Sequence, residues 1–229
     1  NDFDLLIGGS PCTYWSIARK DRETTSSGIG FDLFMQFVKA KEQSGCKYFL
    51  YENNNSISKE IKDEISKYLG VQPIMINSEL VSAQSRKRCY WTNIPNITQP
   101  KDKGIKLQDI LENGYVDREK SLCLTRRYAG FTGSQSYLCR RYFGKSIGQA
   151  KFVSAQSYIS VKSKWKENNY FDSEKIEIDK LSITEVERLQ TLPDGYTECD
   201  GVSYTQRVEA VGNGWTVDVI AHILRELAK

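Results

Sequence analysis

The chain has 229 residues, of which 39% are hydrophobic and 11% aromatic, and its formal net charge is only +3. This is enough apolar material for one large domain, or for one domain with a smaller insert. Six cysteines and a single histidine are scattered without any CxxC pair, so the clustered ligands of a zinc site are lacking. No apolar run approaches the roughly 18 residues of a membrane span, and no signal peptide is visible. Scattered cysteines favour a reducing compartment, although their even count leaves disulfides open.

A short apolar stretch near the start of the chain runs into a cysteine. Residues 3–7 are bounded by two glycines, which predicts a buried strand. In an open α/β sheet, ligands bind at the carboxyl ends of such strands. Pro11 fixes its own φ and restricts Ser10, so the turn that presents Cys12 is stiff. The Cys12 thiol is therefore a candidate nucleophile, and a buried, inert cysteine is the alternative.

Helices and strands alternate along much of the chain, which predicts a parallel or mixed α/β sheet. Residues 13–30 are a polar loop without periodicity, either a functional lid or a solvated connection. Apolar spacing predicts strands at 47–51, 74–80 and 89–94 and helices at 31–43, 58–69, 204–211 and 216–227. Ser182 and Glu185 have the spacing of a capping box that starts another helix. Residues 212–215 are predicted to form a tight turn, and His222 to be structural.

The region from about residue 113 to 170 has a different character, because helical patterning fades and basic and aromatic residues dominate. Between Arg118 and Lys166 there are eleven basic residues and one acidic residue, Glu119, so the local net charge is +10. The rest of the chain therefore carries −7, and the small total hides a segregated charge. Cations interleaved with aromatic rings suit contacts with phosphates and stacking on bases, and an exposed polar loop region is the alternative.

Three polar clusters follow or border predicted strands, and together they suggest covalent catalysis. They are the thiol of Cys12, the pair Glu52 and Asn53, and the guanidinium groups of Arg86 and Arg88. Arginine cannot act as a base, but it offers donors in a fixed fork. No histidine is at hand to deprotonate the thiol, so nearby arginines would have to lower its pKa electrostatically.

Five short motifs follow one another along the chain. They are Gly-Gly-Ser-Pro-Cys at 8–12, Glu-Asn-Asn at 52–54, Gln-Ser-Arg-Lys-Arg at 84–88, Arg-Leu-Gln-Thr-Leu-Pro at 188–193 and Gly-Asn-Gly-Trp at 212–215. Their order and separations resemble those of the DNA cytosine-5 methyltransferases, and the resemblance covers nearly the whole chain. Trp215, and Ser16-Ile17 after the Pro-Cys pair, are most similar to the de novo branch of the eukaryotic enzymes or its bacterial and phage relatives.

The resemblance implies a catalytic set of Cys12, Glu52, Asn53, Arg86 and Arg88. The Cys12 thiolate would attack C6 of a cytosine flipped out of double-stranded DNA. Glu52, protonated or sharing a proton, would bond to N3 and the exocyclic amine, and Arg88 would bind the O2 oxygen. Arg86 would brace the site or Glu52.

The resemblance also implies S-adenosylmethionine as cofactor and double-stranded DNA as partner, with no metal and no membrane. The cofactor would contact Pro11, Asn213 and Trp215. The loop at residues 13–30 would close over the base, and the residues expected at the DNA are Arg19, Lys20, Arg126, Arg127, Arg140 and Arg141. Such an enzyme would be cytoplasmic in a bacterium or phage host and nuclear in a eukaryote. In a bacterium, its DNA methylation would be expected to serve restriction–modification.

The implied fold is a Rossmann-like methyltransferase sheet with a small basic target-recognition insert. The expected division is a catalytic α/β region at 1–112, the recognition region at 113–180 and closing helices at 181–229. The family's glycine-rich turn and the acidic residues that hold the cofactor belong upstream of Asp4. The chain is therefore expected to be part of a longer polypeptide, one half of a split methyltransferase with a second polypeptide, or a degenerate relative.

Three rival functions remain beside a DNA cytosine-5 methyltransferase. The first is a DNA-binding regulatory subunit without activity of its own. The second is a transfer-RNA cytosine methyltransferase of the same fold. The third is a cysteine hydrolase, which the absence of a histidine from every motif disfavours.

Overall fold

Four strands form the main sheet of the protein. The computed structural model describes residues 3–17, 19–125, 150–154, 157 and 178–228. The strands are β1 (Leu5–Gly8), β2 (Tyr48–Asn54), β3 (Ile74–Asn77) and β4 (Lys87–Thr92), in the order β1-β2-β4-β3. β1 is parallel to β2, whereas β4 is antiparallel to both of its neighbours. The sheet is therefore mixed, one of the two forms that the alternation of elements predicts.

Two helices contribute to the hydrophobic core of this sheet, α1 (Ile29–Ser44) and α2 (Lys59–Leu69). The Ser58 hydroxyl accepts the N–H of Ile61 and caps the start of α2, and Gly70 ends the helix with a φ of +71°. Aromatic and aliphatic side chains of both helices meet the sheet residues in one cluster. Its buried members are Trp15, Phe31, Phe34, Val38, Phe49, Tyr51, Ile57, Ile61, Ile65, Leu69, Cys89 and Trp91.

The described residues of the second part of the chain form a small antiparallel sheet and three short helices. The strands are β5 (Tyr115–Val116), β6 (Lys151–Phe152) and β7 (Ile178–Asp179), in that order. The helices are α3 (Ile183–Leu189), α4 (Tyr204–Asn213) and α5 (Val217–Leu224). Single 3₁₀ turns lie at Cys12–Tyr14, Ser78–Leu80, Leu107–Ile110 and Arg225–Ala228. A second core forms here from Ala83, Leu107, Ile110, Val116, Leu124, Leu181, Val186, Leu189, Val208 and Val211.

Contacts divide the chain into two compact units. The first comprises Asn1–Asn77, Lys87–Gln99 and His222–Lys229, and the second comprises Ser78–Arg86 and Pro100–Ala221. The three-part division at residues 112 and 180 stays a prediction. Within the described ranges, no helix is both long enough and apolar enough to cross a membrane.

The strand bounds predicted from the sequence are partly wrong, because pairing with neighbours sets them. β2 does not end at Tyr51 but continues through Glu52–Asn54, since these residues pair with β4. β4 begins at Lys87, so Arg88 lies inside a strand and not in the preceding connection. The predicted strand at 74–80 ends at Asn77, where a 3₁₀ turn follows.

The helix starts are predicted better than the helix ends. Ser182 and Glu185 form the expected capping box at the start of α3. The predicted turn at 212–215 is wrong in its first half, because α4 runs to Asn213. The last helix ends at Leu224 and not at Leu227, and a 3₁₀ turn follows it. His222 bonds to the carbonyl oxygen of Thr98 at 2.9 Å, in keeping with the predicted structural role.

Candidate active site

Cys12 sits on a short turn directly beyond β1. Pro11 has a φ of −53°, and the carbonyl of Cys12 accepts the N–H groups of Trp15 at 3.1 Å and Ser16 at 2.9 Å. The Trp15 side chain is completely buried, whereas Cys12 is exposed. The turn thus anchors its far end in the core and leaves the thiol accessible, as a nucleophile requires.

Glu52 and Arg88 form an ion pair across two antiparallel strands. Glu52 is directly opposite Tyr90, so Arg88 is its diagonal neighbour on the same face of the sheet. Arg88 Nε donates to Glu52 Oε1 at 2.9 Å, and their side chains are only 15% and 11% exposed. A Cβ at Gly9 would lie 2.9 Å from the Glu52 carbonyl oxygen, so the turn before Cys12 can approach this strand only with glycine there.

Asn53 faces away from this pair, because successive residues of a strand point to opposite faces. Its Nδ2 lies 3.3 Å from both the carbonyl oxygen and the hydroxyl oxygen of Ser10. Its Oδ1 accepts the backbone N–H of Asn54 at 2.8 Å. Asn53 therefore holds the Cys12 turn onto β2, which is a positioning role within the predicted catalytic set.

Arg86 is buried in the second unit and donates to backbone carbonyls. Its guanidinium reaches the carbonyl oxygen of Leu124 at 2.7 Å, of Gly214 at 2.9 Å and of Gly212 at 3.3 Å. Gln190 Nε2 also donates to Gly214, at 3.1 Å. These donors fix the backbone of the Gly-Asn-Gly-Trp motif, so the contacts of Arg86 indicate positioning.

Asn213 and Trp215, the residues predicted at the cofactor, flank the fixed Gly214. Asn213 is exposed and Trp215 is half-buried. An amide and an indole face on a fixed backbone can bond to and stack against a flat polar ligand. Pro11, the third predicted cofactor residue, is exposed beside Cys12 in the first unit.

The loop between Cys12 and α1 is held by contacts within the first unit. Arg22 Nη1 donates to the Ser56 carbonyl oxygen at 2.7 Å. Arg19 and Lys20 are both exposed, and the Arg19 guanidinium lies 5.3 Å from the centre of the Tyr14 ring. Both cations can therefore meet a polyanion, and their role at DNA stays a prediction. The predicted DNA residues Arg126, Arg127, Arg140 and Arg141 lie outside the described residues.

The other cysteines and acids of the described part of the chain form no metal-binding cluster. Cys89 is buried in β4 and donates to Asn55 Oδ1 at 3.2 Å, and burial raises the pKa of its thiol. No group of three or more histidine, cysteine or acidic residues that could hold a metal ion occurs among the residues with a described position.

Several residues that contact the predicted site residues were not predicted from the sequence. Ser10 and Tyr51 bond to each other and to Asn53. Tyr51 and Asn53 are two residues apart in one strand, so the period of two could have placed them on one face. Gln84 and Gln190 bond to each other at 2.9 Å. Both stand inside the quoted motifs, but nothing in a single sequence says that two distant amides meet.

The chain is similar to known DNA methyltransferases, and one family model matches its entire length. The family model for C-5 cytosine-specific DNA methylase matches residues 1–229. DNA (cytosine-5)-methyltransferase DRM1 of Arabidopsis thaliana is 27% identical over 196 residues, which are 80% of this chain and 30% of that protein. The rice protein named Probable inactive DNA (cytosine-5)-methyltransferase DRM3 is 24% identical over 227 residues, 90% of this chain and 32% of that one. Orphan methyltransferase M.SPRI of Bacillus phage SPR is 28% identical over 130 residues, 49% of this chain and 28% of that one. The chain thus spans less than a third of the length of these curated relatives.

Solved methyltransferase structures share the fold. A DNMT2 mutant of Spodoptera frugiperda superposes with a TM-score of 0.65 at 17% identity, over 99% of this chain and 80% of that chain. The Dnmt2 methyltransferase of S. pombe superposes with a TM-score of 0.64 at 14% identity, over 100% of this chain and 79% of that one. The mixed α/β sheet is therefore that of a Rossmann-like methyltransferase, as the motifs predict. Together with the match over residues 1–229, it follows that the chain belongs to the C-5 cytosine-specific DNA methylase family.

Proposed function

We propose that the chain carries the catalytic groups of a DNA (cytosine-5-)-methyltransferase. One observation carries this proposal: an exposed thiol on a stiff turn shares a compact unit with a shielded carboxylate–guanidinium pair. A nucleophile and two groups that can polarise a ring are what addition to cytosine requires, because the unactivated ring is a poor electrophile.

The proposed reaction begins when the Cys12 thiolate attacks C6 of a cytosine. A C6–S bond forms, and the electron pair of the C5–C6 double bond moves onto C5. Glu52, protonated or sharing a proton, donates to N3 and accepts from the exocyclic amine, while Arg88 binds O2, so both stabilise the charge that the ring takes on. After methylation a base from solvent takes the C5 proton, the C5–H electron pair restores the C5–C6 double bond, and the C6–S bond breaks to release the Cys12 thiolate.

S-adenosylmethionine is the proposed cofactor, and it supplies the electrophilic methyl group when bound. The residues in the second unit fit such a molecule, because the exposed amide of Asn213 can bond to a purine or ribose and the indole of Trp215 can pack against it. Arg86 would support both by fixing the backbone between them.

The proposed substrate is double-stranded DNA with the target cytosine flipped out of the helix, since a stacked and paired base cannot reach a thiol. The exposed cations Arg19 and Lys20 would meet phosphates near the site. The basic region that contains Arg126, Arg127, Arg140 and Arg141 would bind the surrounding duplex and select the sequence.

The test is a trapping experiment with duplex DNA that contains 5-fluorocytosine. Fluorine at C5 cannot leave as the proton does, so an adduct persists and can be mapped by mass spectrometry. We expect the adduct on Cys12, using purified protein that contains this whole chain, together with the cofactor. Cys12→Ser abolishes the adduct and methylation but changes DNA affinity by no more than about twofold.

The matched control is Cys199→Ser, because Cys199 is also exposed but lies in the second unit and in none of the five motifs. This variant keeps full methylation and the full yield of adduct. An adduct that forms on another residue, or no adduct in a protein that binds both DNA and cofactor, would contradict the assignment of Cys12.

A second candidate is a catalytically incomplete DNA-binding subunit, or one half of a split methyltransferase. The rice relative, whose name calls it probably inactive, is the observation that favours it. Calorimetric titration with S-adenosylmethionine separates the candidates. An active enzyme binds the cofactor, and a split enzyme binds it only with its second polypeptide. A regulatory subunit binds DNA without it.

A transfer-RNA cytosine methyltransferase is the remaining alternative, because the same thiol chemistry would serve either nucleic acid. Competition between duplex DNA and transfer RNA in a methyl-transfer assay decides between them. We expect transfer of the methyl group to the DNA. Methylation of the transfer RNA in the presence of excess duplex would overturn this choice.

A further inference from the structure

The face of β2 opposite to the Glu52–Arg88 pair contacts the Cys12 turn through a buried phenol. β1 and β2 are parallel, with Gly8 paired to Tyr51, so the chain beyond β1 passes over the last residues of β2. Tyr51 is completely buried. Its ring packs against the rings of Phe37 at 4.9 Å and Phe34 at 5.2 Å between centroids, so the position of its hydroxyl is fixed by the core.

Three polar side chains contact one another at this point. They belong to Ser10, Tyr51 and Asn53, which we call the Ser10 clamp. The Tyr51 hydroxyl and the Ser10 hydroxyl are 2.6 Å apart. Asn53 Nδ2 lies 3.2 Å from the Tyr51 hydroxyl and 3.3 Å from the Ser10 hydroxyl. Burial raises the pKa of Tyr51 to about 12.

The turn needs such an attachment because its own backbone offers little. β1 ends at Gly8, and the ladder to β2 ends with it. The next residue is again a glycine, and Pro11 has no N–H to donate. Ser10 is thus the residue through which the rigid strand can hold the backbone two positions before Cys12.

We propose that Tyr51, acting through Ser10, is a positioning residue that sets the Cys12 thiol for attack on the base. The inference rests on the proposed function. Tyr51 touches neither substrate nor cofactor in this role. It limits the freedom of the turn, and loss of alignment of a nucleophile by about 1 Å can cost a hundredfold in rate.

The test compares Tyr51→Phe with Tyr68→Phe. The first removes only the hydroxyl of the clamp, whereas the second makes the same chemical change on a half-exposed tyrosine of α2 that packs against the same Phe34. We expect Tyr51→Phe to slow formation of the 5-fluorocytosine adduct by at least about tenfold. The KM for DNA and for cofactor changes by no more than about twofold, because no binding group is lost. Tyr68→Phe leaves all three values unchanged.

Ser10 supplies a second, independent variant. Ser10→Ala removes the other half of the bond and slows the adduct to the same extent, and Ser10→Thr retains a hydroxyl and restores the rate. The double variant Ser10→Ala/Tyr51→Phe is slowed by less than the product of the two single effects, because both substitutions break the same Tyr51–Ser10 bond. Multiplying effects, or failure of Ser10→Thr to restore the rate, would show that the two act separately and would overturn the inference.

Hydrogen exchange gives a readout that does not depend on activity. Loss of the clamp speeds exchange of the Trp15 and Ser16 amides, which the Cys12 carbonyl protects, while core amides of α2 stay unchanged. If the parent protein forms no adduct, the proposed function fails and exchange alone still decides whether the clamp holds the turn. A parent that forms the adduct, with Tyr51→Phe and Ser10→Ala both as fast as the parent, refutes the positioning role.

Discussion

At the scale of single residues, Tyr51 couples folding to pH. Burial raises its pKa from the ordinary value near 10 to about 12. Below pH 10 the phenol is protonated in both folded and unfolded chains. Between pH 10 and 12 the unfolded chain releases this proton and the folded chain keeps it, so the free energy of unfolding falls as the pH rises.

Between pH 10 and 12 we expect the free energy of unfolding of the parent protein to fall by up to about 1.4 kcal/mol more per pH unit than that of Tyr51→Phe. Urea unfolding of both proteins at pH 9, 10 and 11 measures this difference, because the other tyrosines are common to both. Parallel pH profiles of the two proteins would mean that the phenol of Tyr51 ionises as easily in the fold as in water.

The thiols illustrate what a sequence can and cannot say about one residue. Pro11 before Cys12 predicts a stiff turn, and the structure places that thiol on an exposed turn. Cys89 directly follows the Gln-Ser-Arg-Lys-Arg motif, but it is buried in β4. Exposure separates the two thiols, and exposure depends on tertiary packing that a local pattern does not contain.

At the scale of elements, a buried polar network joins the end of α3 to the end of α4. Gln190 Nε2 donates to the Val211 carbonyl oxygen at 3.0 Å, and Gln190 Oε1 accepts the Thr216 hydroxyl at 2.8 Å. Arg86 adds its bonds to the carbonyls of Gly212 and Gly214. The carbonyls that the helix end leaves unpaired are thus satisfied by side chains, and the motif after α4 is held in one conformation.

We expect Arg86→Lys and Arg88→Lys to fail in different ways. Lysine cannot reproduce the fork of Arg86, so carbonyls lose donors and the free energy of unfolding falls by about 2–4 kcal/mol. The affinity for S-adenosylmethionine falls with it. Arg88→Lys keeps a cation beside Glu52, so stability changes by less than about 1 kcal/mol, while adduct formation slows at least about tenfold.

Denaturant unfolding and calorimetric titration of the two variants measure these differences. Each variant serves as the control for the other, because both make the same substitution within one motif. Equal losses of stability, or an Arg86→Lys variant that binds the cofactor as tightly as the parent, would mean that Arg86 does not act by fixing the backbone of the Gly-Asn-Gly-Trp motif.

The elements also mark the limit of prediction from sequence. Sequence patterns predicted the structure correctly where it depends on residues close together in the chain. Examples are the capping box of Ser182 and Glu185 and the apolar face of α2. Such patterns failed where a distant partner decides, as in β2, which β4 extends to Asn54. The pairing of Glu52 with Arg88 depends on strand register, which the sequence of either strand leaves open.

At the scale of the whole molecule, the charge segregation is reduced by internal pairing. Lys151 is buried and donates to both carboxylate oxygens of Glu185, at 2.9 and 3.1 Å. Lys120 Nζ donates to three backbone carbonyls, and Arg118 pairs with Asp117 at 3.3 Å. Three of the eleven cations between 118 and 166 therefore make contacts within the fold, and the other eight lie outside the described residues.

We expect the affinity for DNA to fall steeply between 50 and 200 mM salt, because each neutralised phosphate releases counterions and adds about −0.9 to the slope of log affinity against log salt. Replacing Arg126, Arg127, Arg140 and Arg141 together by alanine removes up to about four phosphate contacts. The slope therefore becomes shallower by up to about four times 0.9. Fluorescence anisotropy of a labelled duplex measures the slope.

The matched control replaces Lys59 and Lys67 by alanine, since both are exposed cations of α2 that pair with acidic neighbours outside the basic region. Losing them lowers the net charge without removing a phosphate contact, so the slope stays as it is. A fourfold arginine variant with the parent's slope would place DNA binding outside the recognition region. A change in the lysine variant half as large as that in the arginine variant, in proportion to the two and four charges removed, would mean that total charge, and not its segregation, draws the protein to DNA.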